Sequence, residues 1–290
     1  MQIRDLYKNK KPVISLEIFP PKKDSNIDTV YNTLEELAGV NPDFISVTYG
    51  AGGKGSNKTV EIASIIKNRY GIEALAHLTC ITSEEDKVTF VINELKKNNI
   101  ENILALRGDI PEGITLNHDR RYNYAVDLIK EIKKHEGFSI GAAAYPEGHI
   151  ECDDIRINAI HLKQKIDSGA DFLITQLFFD NKLFYEFLNL KDKLSINVPI
   201  SAGVMPILNK SQVQKMIFMC GASLPSKIIK ILYKYEYDSE ALRKAGIEYA
   251  TEQVIDLIAN GVDGIHIYTM NQPDIAKDIL RNVQPSKRKL

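Results

Sequence analysis

Eight short apolar runs, rich in β-branched residues, recur along the chain at 13–19, 44–48, 73–79, 102–107, 139–144, 172–176, 199–204 and 264–268, with helix-like stretches between them. Alternation of this kind predicts βα units on a parallel sheet. Eight units are the number that closes an α/β (β/α)8 TIM barrel, whose active site is built at the C-terminal strand ends. Here those ends, or the residues just beyond them, carry Thr48 and Tyr49, Thr79, Arg107 and Asp109, Tyr145, Gln176 and Tyr268, while Glu17 and His77 sit just inside theirs. A site is expected where these ends converge.

Helical periodicity runs through 27–37, 60–70, 84–97, 124–134, 157–166, 183–190, 212–220, 227–233, 240–259 and 275–283, with no linker, so residues 1–290 read as one domain. Thr82-Ser83-Glu84-Glu85 reads as a capping box. Gly71, Gly137, Gly169 and Gly261 follow helices, where a C-terminal cap favours positive φ. A weak repeat marks three strand starts: Asn41-Pro42-Asp43-Phe44, Gly169-Ala170-Asp171-Phe172 and Gly261-Val262-Asp263-Gly264. Reuse of one αβ turn favours a repetitive barrel.

The 37 basic and 38 acidic side chains nearly balance, which argues against nucleic acid or an acidic membrane as partner. The basic end Lys287-Arg288-Lys289 reads as a solvated terminus. No apolar run approaches the ~20 residues of a membrane span. Residues 1–6 lack the apolar core of a signal peptide, so a cytoplasmic location is expected. Cys80, Cys152 and Cys220 are widely spaced and form no metal or cluster pattern. They read as buried thiols, and redox chemistry would have to come from an organic cofactor.

Gly50-Ala51-Gly52-Gly53-Lys54-Gly55 matches G-x-G-x-x-G between a strand and a helix. However, it follows the second strand, and no acidic residue closes the next one as a dinucleotide fold requires. A mobile glycine-rich loop at the barrel mouth fits better. Glu17 lies in Val13-Ile14-Ser15-Leu16-Glu17-Ile18-Phe19, where strand alternation puts Ser15, Glu17 and Phe19 on one face. Facing inward, Glu17 would be desolvated and its pKa raised, which suits a general acid; a salt-bridged structural role is the alternative. Arg107-Gly108-Asp109 closes another strand with a tight turn, and a structural ion pair is its plain reading. His77 and His149 lack the carboxylate spacing of a metal site and read as polar contacts or core residues.

Several blocks resemble the methylenetetrahydrofolate reductases: Leu16-Glu17-Ile18-Phe19-Pro20-Pro21, Ser46-Val47-Thr48-Tyr49-Gly50-Ala51, His77-Leu78-Thr79-Cys80, Leu104-Ala105-Leu106-Arg107-Gly108-Asp109, Ala143-Ala144-Tyr145-Pro146-Glu147 and His266-Ile267-Tyr268-Thr269-Met270-Asn271. The stretch from Asp167 through Gly169, Asp171 and Gln176 to Asp180 resembles them too. The blocks keep their order across nearly the whole chain, in the manner of the compact bacterial form.

The resemblance implies a flavin-dependent oxidoreductase that reduces 5,10-methylenetetrahydrofolate to 5-methyltetrahydrofolate, with NADH and folate using the flavin in turn. FAD is the implied cofactor, with FMN as the alternative. By the same resemblance Glu17 matches the general acid that opens the imidazolidine ring, and Asp109 the carboxylate beside flavin and pterin. Gln176 and Gln212 match folate contacts, and Thr48 a contact near the nicotinamide. Tyr49, Ala51, His77, Arg107, Gly108, Ala125, Tyr145, His149 and Lys165 match flavin-contacting positions.

The sequence also departs from the family pattern. Asn158, His161 and Gln164 stand where Asp, Asn and Arg contact the flavin's ribityl–diphosphate region. Cys152 replaces an alanine, Met216 an aromatic residue, and Gln272 an arginine of the folate site. These changes leave open NADH, NADPH or an electron-delivering partner subunit as donor. The family commonly forms homo-oligomers. A pterin-binding methyltransferase barrel, or a folate- or flavin-binding subunit whose chemistry resides in a partner, are the competing readings.

Overall fold

The computed structural model describes residues 1–21, 27–50, 56–110 and 120–283. Its strands are β1 (Val13–Ile18), β2 (Phe44–Val47), β3 (Glu73–Thr79), β4 (Asn102–Leu106), β5 (Ser139–Ala144), β6 (Phe172–Thr175), β7 (Ile200–Val204) and β8 (Gly264–Tyr268). They pair in parallel and in sequence order, and β8 closes on β1. Each strand lies within one residue of its expected run, because a strand buried on both faces has an almost continuous apolar signature.

Closure sets the register that matters for function. Glu17 on β1 lies opposite Ser46 on β2 and opposite Tyr268 on β8, and Ser15 lies opposite His266. Residues of alternate parity face outward: Leu16, Ile18, Ile45 and Val47 join the main core between barrel and helices. Inward-facing Val13, Phe44, Leu75, Leu104 and Phe172 fill the lower barrel as a separate apolar cluster with Ile3.

The surrounding helices are α2 (Ile27–Ala38), α3 (Ser56–Tyr70), α4 (Glu85–Lys97), α5 (Ala125–Lys133), α6 (Ile155–Asp167), α7 (Asn181–Lys193), α8 (Lys210–Cys220), α9 (Ser226–Lys234), α10 (Ser239–Ala259) and α11 (Pro273–Val283). All ten are legible in the periodicity. One more, α1 (Ile3–Asn9), is an addition to the expected set. Its cue is the spacing of Ile3, Leu6 and Tyr7 along one helical face. Ile3 is fully buried beneath the barrel, its N–H donates to Asn102 Oδ1 at 2.7 Å, and Tyr7 Oη lies 2.8 Å from Ser201 Oγ.

The repeated αβ turn has a physical role. Asp43, Asp171 and Asp263 each accept an N–H at the start of the preceding strand: Ile14, Ile140 and Ile200, at 2.7, 2.8 and 3.1 Å. Each also pairs with a cation of the N-terminal segment, Lys10, Arg4 and Lys11 respectively. One acid per turn thus ties adjacent strands and fastens the plug below them. Gly71, Gly137, Gly169 and Gly261 all take the positive φ expected of helix C-caps.

The capping box expected at Thr82-Ser83-Glu84-Glu85 does not form. Glu84 caps α4 without a side-chain hydrogen bond, because the Ser83 hydroxyl donates to Thr79 O at 3.0 Å and closes the strand end instead. The glycine-rich motif follows β2 of a closed barrel, so its dinucleotide-fold reading fails. Residues 51–55, including Ala51, lie outside the described residues, as does the basic end at 287–289. No helix among the described residues is long and apolar enough to cross a membrane.

Candidate active site

The strand ends enclose a cavity of about 540 Å³, lined by Glu17, Thr48, Tyr49, His77, Thr79, Gly108, Asp109, Gln176 and Tyr268. A second cavity of about 460 Å³ lies between β4, β5, α5 and α6, lined by Ala125, His149, Asn158, His161, Gln164 and Lys165. Arg107 and Tyr145 line both. Leu106 and Ala143 are shared as well, so the common wall holds one cation, one aromatic ring and two small or aliphatic side chains. Most of the sequence-expected residues divide between a mouth chamber and a side chamber.

Glu17 sits in the wall of the mouth chamber and is only 6% exposed. Its Oε2 lies 3.4 Å from His266 Nε2, 3.4 Å from Ser46 Oγ and 3.5 Å from His77 Nε2. On the far side of the His266 ring, Nδ1 is 2.8 Å from Ser15 Oγ, and that hydroxyl donates to Ile265 O at 3.1 Å. Since Ser15 has a single proton, this network assigns it as acceptor from His266 Nδ1–H. With Nδ1 protonated, a hydrogen bond across the 3.4 Å contact needs a further proton, on His266 Nε2 or on Glu17.

The pKa expected for Glu17 needs correction. Burial does raise it, and is the largest single effect. The His266 hydrogen bond, the charges that His77 and His266 carry when protonated, and the Ser46 hydroxyl together outweigh that, holding the carboxyl below the ordinary glutamate range. Sequence position reveals the burial but not the two histidines. His77 shows the counterpart: burial, against the pull of Glu17, pushes it down to about 4, so its ring is neutral near pH 7. Its Nε2 is buried and has no hydrogen bond among the described residues.

The backbone around Glu17 is held from β8. Thr269 Oγ1 donates to Glu17 O at 2.7 Å, and the Asn271 amide clasps Phe19, accepting from its N–H at 2.8 Å and donating to its carbonyl at 2.9 Å. Sequence reasoning assigns no role to His266, Ser15, Thr269 or Asn271. The signal is nonetheless present: alternation on β1 and β8, plus closure, puts Ser15–Glu17 beside His266–Tyr268.

Gly108 follows Arg107 with φ +83°, and a Cβ there would stand 2.9 Å from Thr79 Cβ. Glycine is needed twice over, for the left-handed turn and for the close approach to β3. This turn sends Arg107 toward the side chamber while exposed Asp109 lines the mouth. The ion pair that is the structural alternative for those two does not form. Arg107 instead meets Glu151, with Nη2 donating to Oε1 at 2.8 Å and Nη1 to Oε2 at 2.5 Å.

Lys165 on α6 is the other cation of this corner. Its Nζ donates to Ala143 O at 2.9 Å and lies 5.3 Å from the centre of the Tyr145 ring. It forms no ion pair with a carboxylate among the described residues. Desolvation, then repulsion from Arg107, pushes its pKa down to about 8. A desolvated cation supported by a single carbonyl is incompletely compensated, and it fits an anionic ligand group in the side chamber.

Two expected residues line neither chamber. Gln212 turns its amide onto its own loop, accepting from Leu208 N–H at 2.8 Å and donating to Pro206 O at 3.3 Å. Gln272 lies just before α11, where its N–H donates to Thr269 O at 2.9 Å. Asn158 lines the side chamber, but its amide is fully engaged: Oδ1 accepts from His149 N–H at 2.8 Å, and Nδ2 donates to Cys152 O and Asp154 O at 3.0 and 3.1 Å. Gln176, at the mouth, accepts from Leu177 N–H through Oε1 at 2.9 Å.

Comparison with known proteins identifies the family. The sequence model of the family described as methylenetetrahydrofolate reductase matches residues 2–284. The chain is 34% identical over 263 residues to the 5,10-methylenetetrahydrofolate reductase of Escherichia coli, covering 91% of this chain and 88% of that protein. It is 33% identical over 295 residues to methylenetetrahydrofolate reductase (NADH) 1 of Arabidopsis thaliana, covering 97% of this chain, and spans only 50% of that plant protein's length. Among solved structures, a Clostridium thermocellum protein described as binding two copies of 5-methyl-5,6,7,8-tetrahydrofolic acid superposes with a TM-score of 0.70 over 99% of each chain. At 14% identity that likeness is one of fold.

Proposed function

The chain belongs to the methylenetetrahydrofolate reductase family, and from that premise we propose that it reduces 5,10-methylenetetrahydrofolate to 5-methyltetrahydrofolate with FAD as bound cofactor and NADH as electron donor. The observation that carries this reading is the junction of the two chambers at Arg107 and Tyr145. A buried acid stands in one chamber, and in the other a desolvated lysine that has no carboxylate partner among the described residues. A flavin supplies hydride transfer that no side chain can perform, so the protein's part is placement and electrostatics.

In this reading Arg107 and Lys165 hold the cofactor's phosphates, and Ala125, Tyr145 and His149 line its path between α5 and α6. Arginine offers a planar fork of donors and lysine a compact charge, and both suit a diphosphate. Thr48, Tyr49, His77 and Gly108 form the walls of the mouth, where ring systems would meet. Asp109 places a negative charge at that mouth, which disfavours added electron density beside it and favours giving up a hydride.

Glu17 serves the folate half of the reaction. The methylene bridge must open at a ring nitrogen before its carbon can accept hydride, and that opening needs a proton. The proton shared by Glu17 and His266 is the source, and Ser15 keeps the histidine's other nitrogen protonated. An acid held below the ordinary range is poor by itself; the adjacent imidazole compensates by keeping a proton within reach.

A spectroscopic titration tests the whole reading. The purified protein should be yellow, bleach on addition of NADH, and regain its colour with methylenetetrahydrofolate. A colourless protein that still binds folate would point to a methyltransferase. A yellow protein inert to NADH yet reoxidised by folate after chemical reduction would point to electron delivery by another protein.

A further inference from the structure

The Arg107–Glu151 pair differs from an ordinary surface ion pair in how its acid is held. Most exposed pairs contribute little because two long side chains must be ordered to form them. Here Glu151 sits on a turn that is already built: Cys152 N–H donates to His149 O at 2.8 Å, and Glu151 N–H donates to His149 Nδ1 at 3.2 Å. The Asn158 amide clamps the same turn at His149, Cys152 and Asp154. An aspartate at 158 could accept from His149 but could not donate to the two carbonyls. The asparagine is therefore what lets α6 grip this turn.

The result is a bidentate contact in which both terminal nitrogens of Arg107 face one carboxylate. Arg107 is 20% exposed and Glu151 54%, so the acid stands on the solvent side. Glu151 and Lys165 line the same chamber, and Arg107 opens onto both chambers. An anionic group held by Lys165 and Arg107 together would compete for the guanidinium edge that Glu151 occupies. Carboxylate and phosphate oxygens compete for that fork with the same geometry.

We propose that Glu151 is a competing counter-ion for the cofactor's phosphates: it occupies Arg107 until an anionic ligand displaces it, and so sets how tightly a phosphate-bearing cofactor is held. This rests on the reading that the side chamber takes a phosphate-bearing flavin. Glu151 is assigned here as an affinity-setting residue that need not touch the reacting atoms. Its release costs an ion pair, and the incoming phosphates also lose a nearby repelling charge when it swings outward.

The test is a binding titration of flavin-stripped protein with FAD and, separately, with riboflavin, which has the same ring and no phosphate. Glu151→Gln should bind FAD roughly three- to tenfold more tightly than the native protein, the size expected when a well-built exposed pair no longer has to be broken. Riboflavin affinity should be unchanged. Glu151→Asp keeps the charge but falls one methylene short of the bidentate contact, and should lie between. Equal or weaker FAD binding by Glu151→Gln overturns the proposal, as does equal tightening toward riboflavin. A native protein that binds neither flavin refutes the flavin reading itself, which separates that failure from failure of the counter-ion alone.

Discussion

His266 Nε2 stands 3.4 Å from Glu17 Oε2 across the seam where the last strand closes on the first. The two residues are 249 positions apart in sequence, yet the parallel register makes them neighbours. Glu17→Gln keeps the shape of the side chain but removes the carboxylate that shares a proton with His266. Reduction of the bound flavin by NADH is expected to stay near normal, because hydride transfer needs no proton from this side chain. Folate reduction should fall by ~10²–10⁴-fold, the usual worth of one general acid. Stopped-flow measurement of each half-reaction distinguishes the roles; equal losses in both would make Glu17 merely positional.

The His77 pKa of about 4 has a consequence for stability. An unfolded histidine takes up its proton near 6.5, so between that pH and about 4 the unfolded chain binds more protons than the folded one. Stability should therefore fall as pH drops through this window, by up to about 3 kcal/mol from this residue. Glu17, also lowered, adds a loss of the same sign at still lower pH. Urea midpoints for the native protein and His77→Gln at pH 7.5, 6 and 5 provide the check. The variant should show a clearly shallower dependence, and identical slopes would mean that His77 is not buried neutral.

Lys165 titrates near 8 where an ordinary lysine would remain charged past 10. If it holds the cofactor's phosphates, its positive form binds and its neutral form does not. FAD affinity should then weaken above about pH 8, by up to about tenfold per pH unit. Lys165→Met should bind FAD more weakly at pH 7 and show no such decline. A native affinity that stays flat from pH 7 to 9.5 would remove Lys165 from the phosphates.

Gly203 on β7 marks a close approach that shapes the mouth. A Cβ there would stand 2.5 Å from Thr175 O and 2.9 Å from Tyr268 Cε2. The Tyr268 hydroxyl donates to that same carbonyl at 2.7 Å. Gly203→Ala must therefore displace the Thr175 carbonyl, and β6 with it, as well as the Tyr268 ring, at a cost of ~1–3 kcal/mol. A lower Tm together with weaker folate binding is expected. An unchanged Tm would show that the Thr175 carbonyl can give way without loss of stability.

Much of the molecule is readable in the amino-acid sequence. The strands stand out because burial on both faces leaves little choice but Val, Ile, Leu and Ala, and the helices because one apolar face repeats at helical spacing. Arg107, Asp109, Tyr145 and Gln176 can be placed at the mouth because a parallel barrel sends all its strand ends to one side. The short α1 is easily missed, although Ile3, Leu6 and Tyr7 carry its pattern. The partners of Asp43, Asp171 and Asp263 are hidden more deeply, since a charge gives no sign of which distant group it will meet.

Sequence alone, then, determined the barrel, the side on which its chemistry gathers, the inward direction of Glu17 and the family resemblance. These follow from periodicity and local residue type, which are properties of neighbours along the chain. Tertiary structure alone decided the electrostatics. It put two histidines beside Glu17 and reversed the direction of its pKa shift. It also gave Arg107 to Glu151 rather than Asp109, left Lys165 desolvated, and turned the Gln212 and Asn158 amides onto the segments just before their helices. The physical reason is range: secondary structure is set by contacts a few residues apart. The charge state and free valence of a buried group are set by whatever closure brings within about 4 Å, here from strands at opposite ends of the chain.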